Sequence, residues 1–353
     1  MVTQPIPGPL RWGVLGSARI VETGLAPAIA RDPRCVLTAV ASRSGGRAEE
    51  VARRLGAERS YGDYSRLLAD DQIDVVYIPL PNSLHRHWTI EALRAGKHVL
   101  VEKPLALTGE EARAMFAAAE EAERLLLEGF MWRYHPRVER IRGLIRDELG
   151  PLHLVRIAYT YDLAASYGGD GEAARRDIRL SQKLGGGALG DIGSYTVSGM
   201  RAYAQARPVR VSSWLLREEH GVDMRFCGEI LFDSGAVGQF YVAMDLPGGA
   251  LLDIQGERGR LRMANAFRTA PEWGDPVIEV LPYDAPPRRE KVPFADQFDL
   301  EVRAVAGVLL DGETPLIAPS DSIENAETLD AIRRSWSGSI IEMPLGAERN
   351  VNR

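Results

Sequence analysis

Val99-Leu100-Val101-Glu102-Lys103-Pro104-Leu105 is the stretch on which the reading of this 353-residue chain turns. Its first half is apolar and β-branched, the make-up of a buried strand. The run then delivers a carboxylate, an amine and a proline at its carboxyl end. Ligands of open α/β sheets bind at that end, and an ammonium drawn in there needs partners. Lys103 is therefore the first candidate for chemistry.

Upstream of it, strands and helices alternate. Leu10 to Leu15 reads as a strand running into Gly16-Ser17-Ala18-Arg19-Ile20, with a helical pattern beyond to about residue 30. Backbone N–H groups at such a turn can hold a pyrophosphate. The match to G-x-G-x-x-G is incomplete, because Ala18 and Val21 stand where the second and third glycines would be. The strand 36–41 closes on Ser42-Arg43-Ser44. An acidic residue at that place suits the ribose of NAD, whereas positive charge suits the 2′-phosphate of NADP. Ser42 and Arg43, with no Asp or Glu beside them, point to NADP. Helices at 47–55 and 63–68 precede a buried strand at 74–80 and the turn Pro81-Asn82-Ser83, where Asn82 or Ser83 is a candidate cap. His85 and His87 lie two apart on the next helix and face different sides, so no metal pair is expected. A helix at 109–123 and a strand at 125–129 complete a doubly wound parallel sheet. The first domain is expected to span residues 1–128.

From residue 129 the texture changes. A helix at 136–148 is followed by strand-like runs at 152–161, 209–216, 224–232, 236–244, 251–255 and 260–263, with turns such as Asp233-Ser234-Gly235. Runs linked in this way build an antiparallel sheet. A proline-rich loop at 271–293 leads to closing helices at 296–310 and 320–335. The expected architecture is α/β: an N-terminal Rossmann domain, then residues 129–353 as an α+β domain with a large, open, mostly antiparallel sheet.

The second informative segment is Leu184-Gly185-Gly186-Gly187-Ala188-Leu189-Gly190-Asp191-Ile192-Gly193-Ser194-Tyr195. Its three successive glycines let backbone approach a ligand closely, and the helix read after them tolerates Gly190 and Gly193 at about 1 kcal/mol each. Asp191 and Tyr195 lie four apart and share a helical face. A carboxylate and a phenol aimed at a lysine of the other domain make an acid–base group.

Composition excludes several other classes. Lys and Arg number 43 against 49 Asp and Glu, a net charge of −6, so no broad basic surface argues for nucleic acid or anionic lipid. Cys35 and Cys227 alone cannot frame a zinc site and fit a reducing compartment. No apolar run approaches the ~20 residues of a membrane helix, and Met1 to Pro9 lacks a signal peptide's apolar core. A cytoplasmic location is expected.

With these motifs in view, the chain resembles the glucose–fructose oxidoreductase / inositol dehydrogenase (Gfo/Idh/MocA) family from Arg11 to about Pro344. The resemblance includes Pro79-Leu80-Pro81-Asn82-Ser83-Leu84-His85 and Phe130-Met131-Trp132-Arg133-Tyr134-His135-Pro136. The branch it looks most like holds NADP-dependent D-xylose (aldose) 1-dehydrogenases, dimeric dihydrodiol dehydrogenases and nucleotide-sugar ketoreductases. The resemblance implies NADP held by Gly16, Ser17, Ala18, Arg19, Ile20, Ser42, Arg43, Leu80, Pro81, Asn82, His85, Glu102, Lys103 and Arg133. It implies Lys103 beside the nicotinamide, Tyr195 as proton donor or acceptor, and Asp191 orienting the substrate or its hydrogen bonds. A free tyrosine titrates near ~10, and a neighbouring Lys103 ammonium is expected to lower that value. Tyr195, where inositol dehydrogenases carry His, argues against an inositol.

The resemblance also implies a homodimer or homotetramer formed through the second sheet's open face. An aldose 1-dehydrogenase of the D-xylose or D-glucose type is the leading reading. A ketoreductase on a nucleotide-linked deoxysugar, a trans-dihydrodiol dehydrogenase and an aldose–aldose oxidoreductase that retains NADP share its chemistry. Arg133, Tyr159, Tyr161, Tyr167, Arg176 and Arg179 are candidates to line a pocket, where an arginine pair would suit a diphosphate. A non-catalytic NADP-binding regulator is disfavoured, because Lys103, Asp191 and Tyr195 are all retained.

Overall fold

The structure is a computed structural model that describes residues 8–168 and 171–343. Most of the N-terminal stretch read for a signal peptide, and both outer ends of the expected domains, lie outside the described residues.

Six strands form the first sheet: β1 Leu10–Leu15, β2 Cys35–Ala41, β3 Arg59–Tyr61, β4 Val75–Ile78, β5 His98–Glu102 and β6 Leu126–Gly129. All pair in parallel, in the order β3-β2-β1-β4-β5-β6. The order reverses between β1 and β4, so a crevice opens at their carboxyl ends, where dinucleotides bind such sheets. Gly16 follows β1 and Leu80 follows β4 at this switch point. A Cβ on Gly16 would meet Leu80 Cδ2 at 3.0 Å, and its φ of +107° is one that L side chains rarely adopt. Asp63, read as part of a helix, is instead the N-cap of Tyr64–Leu68, accepting from the backbone N–H groups of Ser65 and Arg66.

The second sheet has nine strands. These are β7 Leu152–Thr160, β8 Pro208–Glu219, β9 Val222–Phe232, β10 Val237–Ala243, β11 Ala250–Gly256, β12 Gly259–Ala264, β13 Val277–Pro282, β14 Arg288–Lys291 and β15 Ser337–Glu342. Their order is β14-β13-β12-β11-β7-β10-β9-β8-β15. Every neighbouring pair is antiparallel except β7 with β10. Two of these strands lie where a proline-rich loop was expected. Glu279 to Pro282 pairs with β12 and Val277 to Val280 with β14 through the backbone ladder, and Pro286 and Pro287 sit in the turn before β14. Side-chain alternation divides the sheet's faces. Leu252 and Ile254 are buried, while Leu251, Trp214, Leu216 and Ile340 are exposed.

Helix Gln297–Leu310 follows the second sheet in sequence yet packs on the first. Val302, Val305 and Leu309 join Trp12, Val14, Tyr77 and Leu100 in one buried cluster. Helix Pro319–Arg334 likewise reaches helix Gly109–Glu121: a Cβ on Gly109 would lie 2.5 Å from Glu327 Cγ. The C-terminal segment thus ties the two sheets together. Among the described residues, no helix is long and apolar enough to cross a membrane, and no group of three His, Cys, Asp or Glu could hold a metal ion.

Candidate active site

The site begins where β5 ends. Glu102 does not reach outward: its Oε1 accepts from the Tyr77 hydroxyl at 2.6 Å and its Oε2 from the Lys103 backbone N–H at 3.3 Å. Burial raises the Glu102 carboxyl above its ordinary range. Lys103 then projects toward the second domain. Its Nζ donates to the Asp191 carbonyl oxygen at 2.9 Å and lies 3.4 Å from Asp191 Oδ1, with the side chain only 12% exposed. The ammonium also sits 4.8 Å over the centre of the Tyr195 ring, a favourable cation–π position.

The glycines before Asp191 make this approach possible. Gly185 (φ +74°) packs so tightly that a Cβ would meet Leu107 Cδ2 at 2.8 Å and Asn82 Cβ at 3.0 Å. Its carbonyl accepts from Asn82 Nδ2 at 2.8 Å, which ties the turn after β4 to the second domain. A Cβ on Gly187 (φ +111°) would overlap the Asp223 carboxylate, whose Oδ2 accepts from the Leu189 N–H at 2.6 Å. Leu189–Gly193 forms a wide turn of π type before helix Ser194–Ala204, a feature frequent at functional sites.

Asp191 Oδ2 accepts from the Tyr161 hydroxyl at 2.6 Å and from Arg179 Nε at 3.0 Å. Burial opposes its charge, but Arg179 and Lys103 outweigh it and hold the carboxyl down at about 2. Asp191 is a fixed anion. Tyr195 is the opposite case. Burial, followed by Glu102, Tyr159 and Asp191, raises its phenol well above 10, which corrects the expectation that Lys103 would lower it. The reason is geometric: Lys103 lies over the ring, while the hydroxyl reaches the Met131 sulfur at 3.5 Å. Phe130, Tyr159 and Phe267 enclose the ring at centroid distances of 5.7, 6.1 and 5.5 Å.

At the switch point, the Gly16 N–H donates to the Ala41 carbonyl. Ser17, Ala18 and Ile20 are half-buried and Arg19 is exposed. The Ala18 carbonyl accepts from the Val21 N–H as the following helical turn opens. Leu80 is buried and Pro81 half-buried on the facing turn. At the end of β2, Ser42 is buried and Arg43 exposed, with no carboxylate within 4.0 Å of Arg43 among the described residues. Arg47, on helix Gly45–Leu55, brings a second cation: its Nε lies 3.5 Å from Ser17 Oγ, and its Nη1 pairs with Glu50 at 2.9 Å. Hydroxyls, two guanidiniums and no acidic residue on the β2 terminus fit a 2′-phosphate.

Besides Asn82 and Lys103, three of the expected cofactor residues have other protein partners. His85 is completely buried, with Nδ1 2.9 Å from the Pro104 oxygen and Nε2 2.7 Å from the Leu80 oxygen. It clamps the two turns together instead of facing a ligand. Glu102 is engaged by Tyr77. Arg133 pairs through Nη1 with Asp321 at 2.8 Å, in a buried cluster that includes Arg201. In each case a buried polar group needs a protein partner and has one. Of the pocket candidates, Tyr161 and Arg179 hold Asp191, and Tyr159 stacks on Phe267 at 5.6 Å. Tyr167 bonds Asp177, and Arg176 pairs with Glu172 on the surface. Sequence reading passed over Arg47 and Met131; only the Ser17 and Tyr195 contacts reveal them.

Two family models match the chain. One, described as "Oxidoreductase family, NAD-binding Rossmann fold", covers residues 10–130; the other, "GFO/IDH/MocA C-terminal domain", covers residues 138–262. A D-xylose 1-dehydrogenase (NADP(+)) from Haloferax volcanii is 36% identical over 95% of this chain and 100% of its own length. A dTDP-3,4-didehydro-2,6-dideoxy-alpha-D-glucose 3-reductase from Actinomadura kijaniata is 36% identical over 92% of this chain and 95% of its own. The crystal structure of a 3-ketoreductase from Actinomadura kijaniata with NADP and TDP-benzene superposes with a TM-score of 0.85. It is 33% identical, over 93% of this chain and 98% of that one.

Proposed function

The chain belongs to the Gfo/Idh/MocA oxidoreductase family, and we propose that within it this protein moves a hydride between NADP(H) and a CH–OH or carbonyl carbon of a sugar. The observation that carries this reading is Lys103 Nζ, held by Asp191 at the carboxyl end of β5 and lying over the Tyr195 ring. NADP, when bound, supplies hydride donation and acceptance. The choice of NADP is supported by Ser42, Arg43 and Arg47 and by the NADP named for two of the similar proteins.

Lys103 offers the remaining donors of its ammonium to a substrate oxygen and orients it. Asp191, an anion clamped by Tyr161 and Arg179, keeps that ammonium in place. Tyr195 holds its proton at neutral pH, and so is suited to give it to an oxygen gaining negative charge during reduction. In oxidation the same oxygen must first lose a proton to receive one. Aldose 1-dehydrogenation of the D-xylose or D-glucose type is the leading reaction. Reduction of a nucleotide-linked keto-deoxysugar is the second reading, favoured by the retained phenolic proton. Residues 129–353 are assigned to substrate binding and self-association, the latter supported by the exposed Trp214, Leu216, Leu251 and Ile340 on the second sheet.

Absorbance at 340 nm with NADP, then NAD, across aldoses, diols and inositols tests this. A rise with NADP and a pentose or hexose supports the leading reaction. Silence with every sugar, free or nucleotide-linked, in both directions, together with no sugar product formed from a donor and acceptor pair by protein as purified, would overturn the hydride-transfer reading.

A further inference from the structure

Arg137 is buried completely, with no carboxylate within ion-pair distance among the described residues. Its Nη1 donates to the carbonyls of Asn265 at 3.2 Å and Arg268 at 3.4 Å, while Nε and Nη2 have no partner. Burial pulls the guanidinium only to about 10, so it remains charged at neutral pH. A buried, uncompensated cation calls for an anion nearby.

Arg137 lines a cavity of about 190 Å³ together with Arg268, Asn265, Thr269, Trp273 and Asp275. Arg268 is exposed and likewise has no carboxylate partner among the described residues. Its chain neighbour Phe267 packs against the rings of Tyr195 and Tyr159 at centroid distances of 5.5 and 5.6 Å, so Arg268 follows directly on a residue that walls the proposed reaction centre. Arg137 also stands in the first turn of helix Pro136–Leu144, where the helix dipole favours negative charge. Asp275 opposes an anion, but its Oδ1 is engaged by the Phe294 N–H at 2.9 Å. Trp273, 51% exposed, adds a flat aromatic surface that suits a base or ring carried with the charge.

We propose that this cavity is a subsite for a phosphoryl anion, with Arg268 as its direct ligand, Arg137 as the fixed charge behind it and Trp273 as a stacking surface. The diphosphate of a nucleotide-linked substrate supplies both the charge and a ring; free phosphate supplies the charge alone. Assignment to a substrate rests on the hydride-transfer reading above, whereas anion binding does not.

The test is calorimetry on the full chain saturated with NADP, so that the cofactor's own phosphate contacts are filled. Thymidine diphosphate and inorganic phosphate are titrated into wild type, Arg268→Gln and Arg262→Gln. Arg262 lies outside the cavity, 3.8 Å from Asp253. Thymidine diphosphate is expected to bind the wild type, at least tenfold more weakly Arg268→Gln, and within twofold of wild type Arg262→Gln. Melting curves verify that each variant is folded. Phosphate binding as tightly as the diphosphate, and lost in Arg268→Gln, supports the anion site and overturns its substrate assignment. No heat from either probe at millimolar concentration, or equal binding by Arg268→Gln, overturns the subsite. None of these readouts uses turnover, so a failed sugar assay and a failed anion site are distinguishable.

Discussion

The Lys103 ammonium lies 4.8 Å over the centre of the Tyr195 ring, and the Tyr195 hydroxyl reaches away to the Met131 sulfur at 3.5 Å. The hydroxyl is enclosed with Met131 away from water, and burial penalises the charged phenolate. Burial therefore governs the phenol, with Glu102 next in weight. In the proposed reaction the pair divides the work: Lys103 would present positive charge to the substrate, and Tyr195 a held proton.

A phenol raised well above 10 gives the two directions different pH profiles. Carbonyl reduction is expected to be flat in this group from about pH 6 to 9, whereas alcohol oxidation climbs throughout that range. Tyr195→Phe should lower both by about 10²–10³-fold. Initial rates in both directions across pH check this. An oxidation rate that levels off below about pH 8 in the wild type would show a phenol titrating low, against this geometry.

Asp191→Asn removes the anion between Lys103 and Arg179. Lys103 keeps its bond to the residue 191 carbonyl but loses the charge that centres it, and Arg179 retains Asp177 as its remaining acidic partner. kcat should fall about 10²-fold, the usual effect of a misplaced catalytic group, while the KM for NADP stays within a fewfold. A variant with normal kcat would remove Asp191 from the reaction centre.

Asp223 is predicted to make stability depend on pH. Burial raises its carboxyl to about 7, against about 3.9 in an unfolded chain. Between those values the folded protein binds more protons than the unfolded one. Its contribution is complete below about pH 4, declines as pH rises through about 7, and is then level. Glu128, also raised to about 7 by burial, acts in the same sense. Asp223→Asn retains an acceptor for the Leu189 N–H, so the drop in urea midpoint from pH 5 to pH 8 should become shallower. An unchanged slope would remove Asp223 as its source.

Local pattern carried much of this architecture. The apolar run ending at Glu102 became the strand that delivers Lys103, and the glycines at 185 and 187 became the close approaches their residue type implies. What local pattern does not carry is pairing across the chain. Helix Gln297–Leu310 covers the first sheet because Val302 and Val305 meet Trp12 and Tyr77, more than two hundred residues earlier. Val277 to Leu281 is a strand because β12 lies beside it, despite the prolines on either side. The same limit applies to the site. His85 and Glu102 sit at the expected helix start and strand end, but burial gave each a protein partner, and only the fold shows which polar groups are enclosed. The direction of the Tyr195 hydroxyl depends on Met131, which no spacing rule links to it.

Cofactor preference is the part of the site where spacing and contact agree, and it yields the last prediction. Arg43 has no carboxylate partner among the described residues, while Arg47 is shared between Glu50 and the Ser17 hydroxyl. A 2′-phosphate entering beside Ser42 would meet one unpaired guanidinium and draw on a second, whereas the 2′-hydroxyl of NAD needs neither. Arg43→Ala should therefore raise the KM for NADP by about 10–100-fold, as expected for a lost charge-assisted contact, and leave NAD little changed. Arg43→Ala with Arg47→Ala should widen the effect, and Ser42→Asp should turn preference toward NAD by adding the acidic acceptor that β2 lacks. Initial rates with both cofactors on one sugar decide it. An equal loss with NADP and NAD would mean that Arg43 shapes the turn and does not read the phosphate.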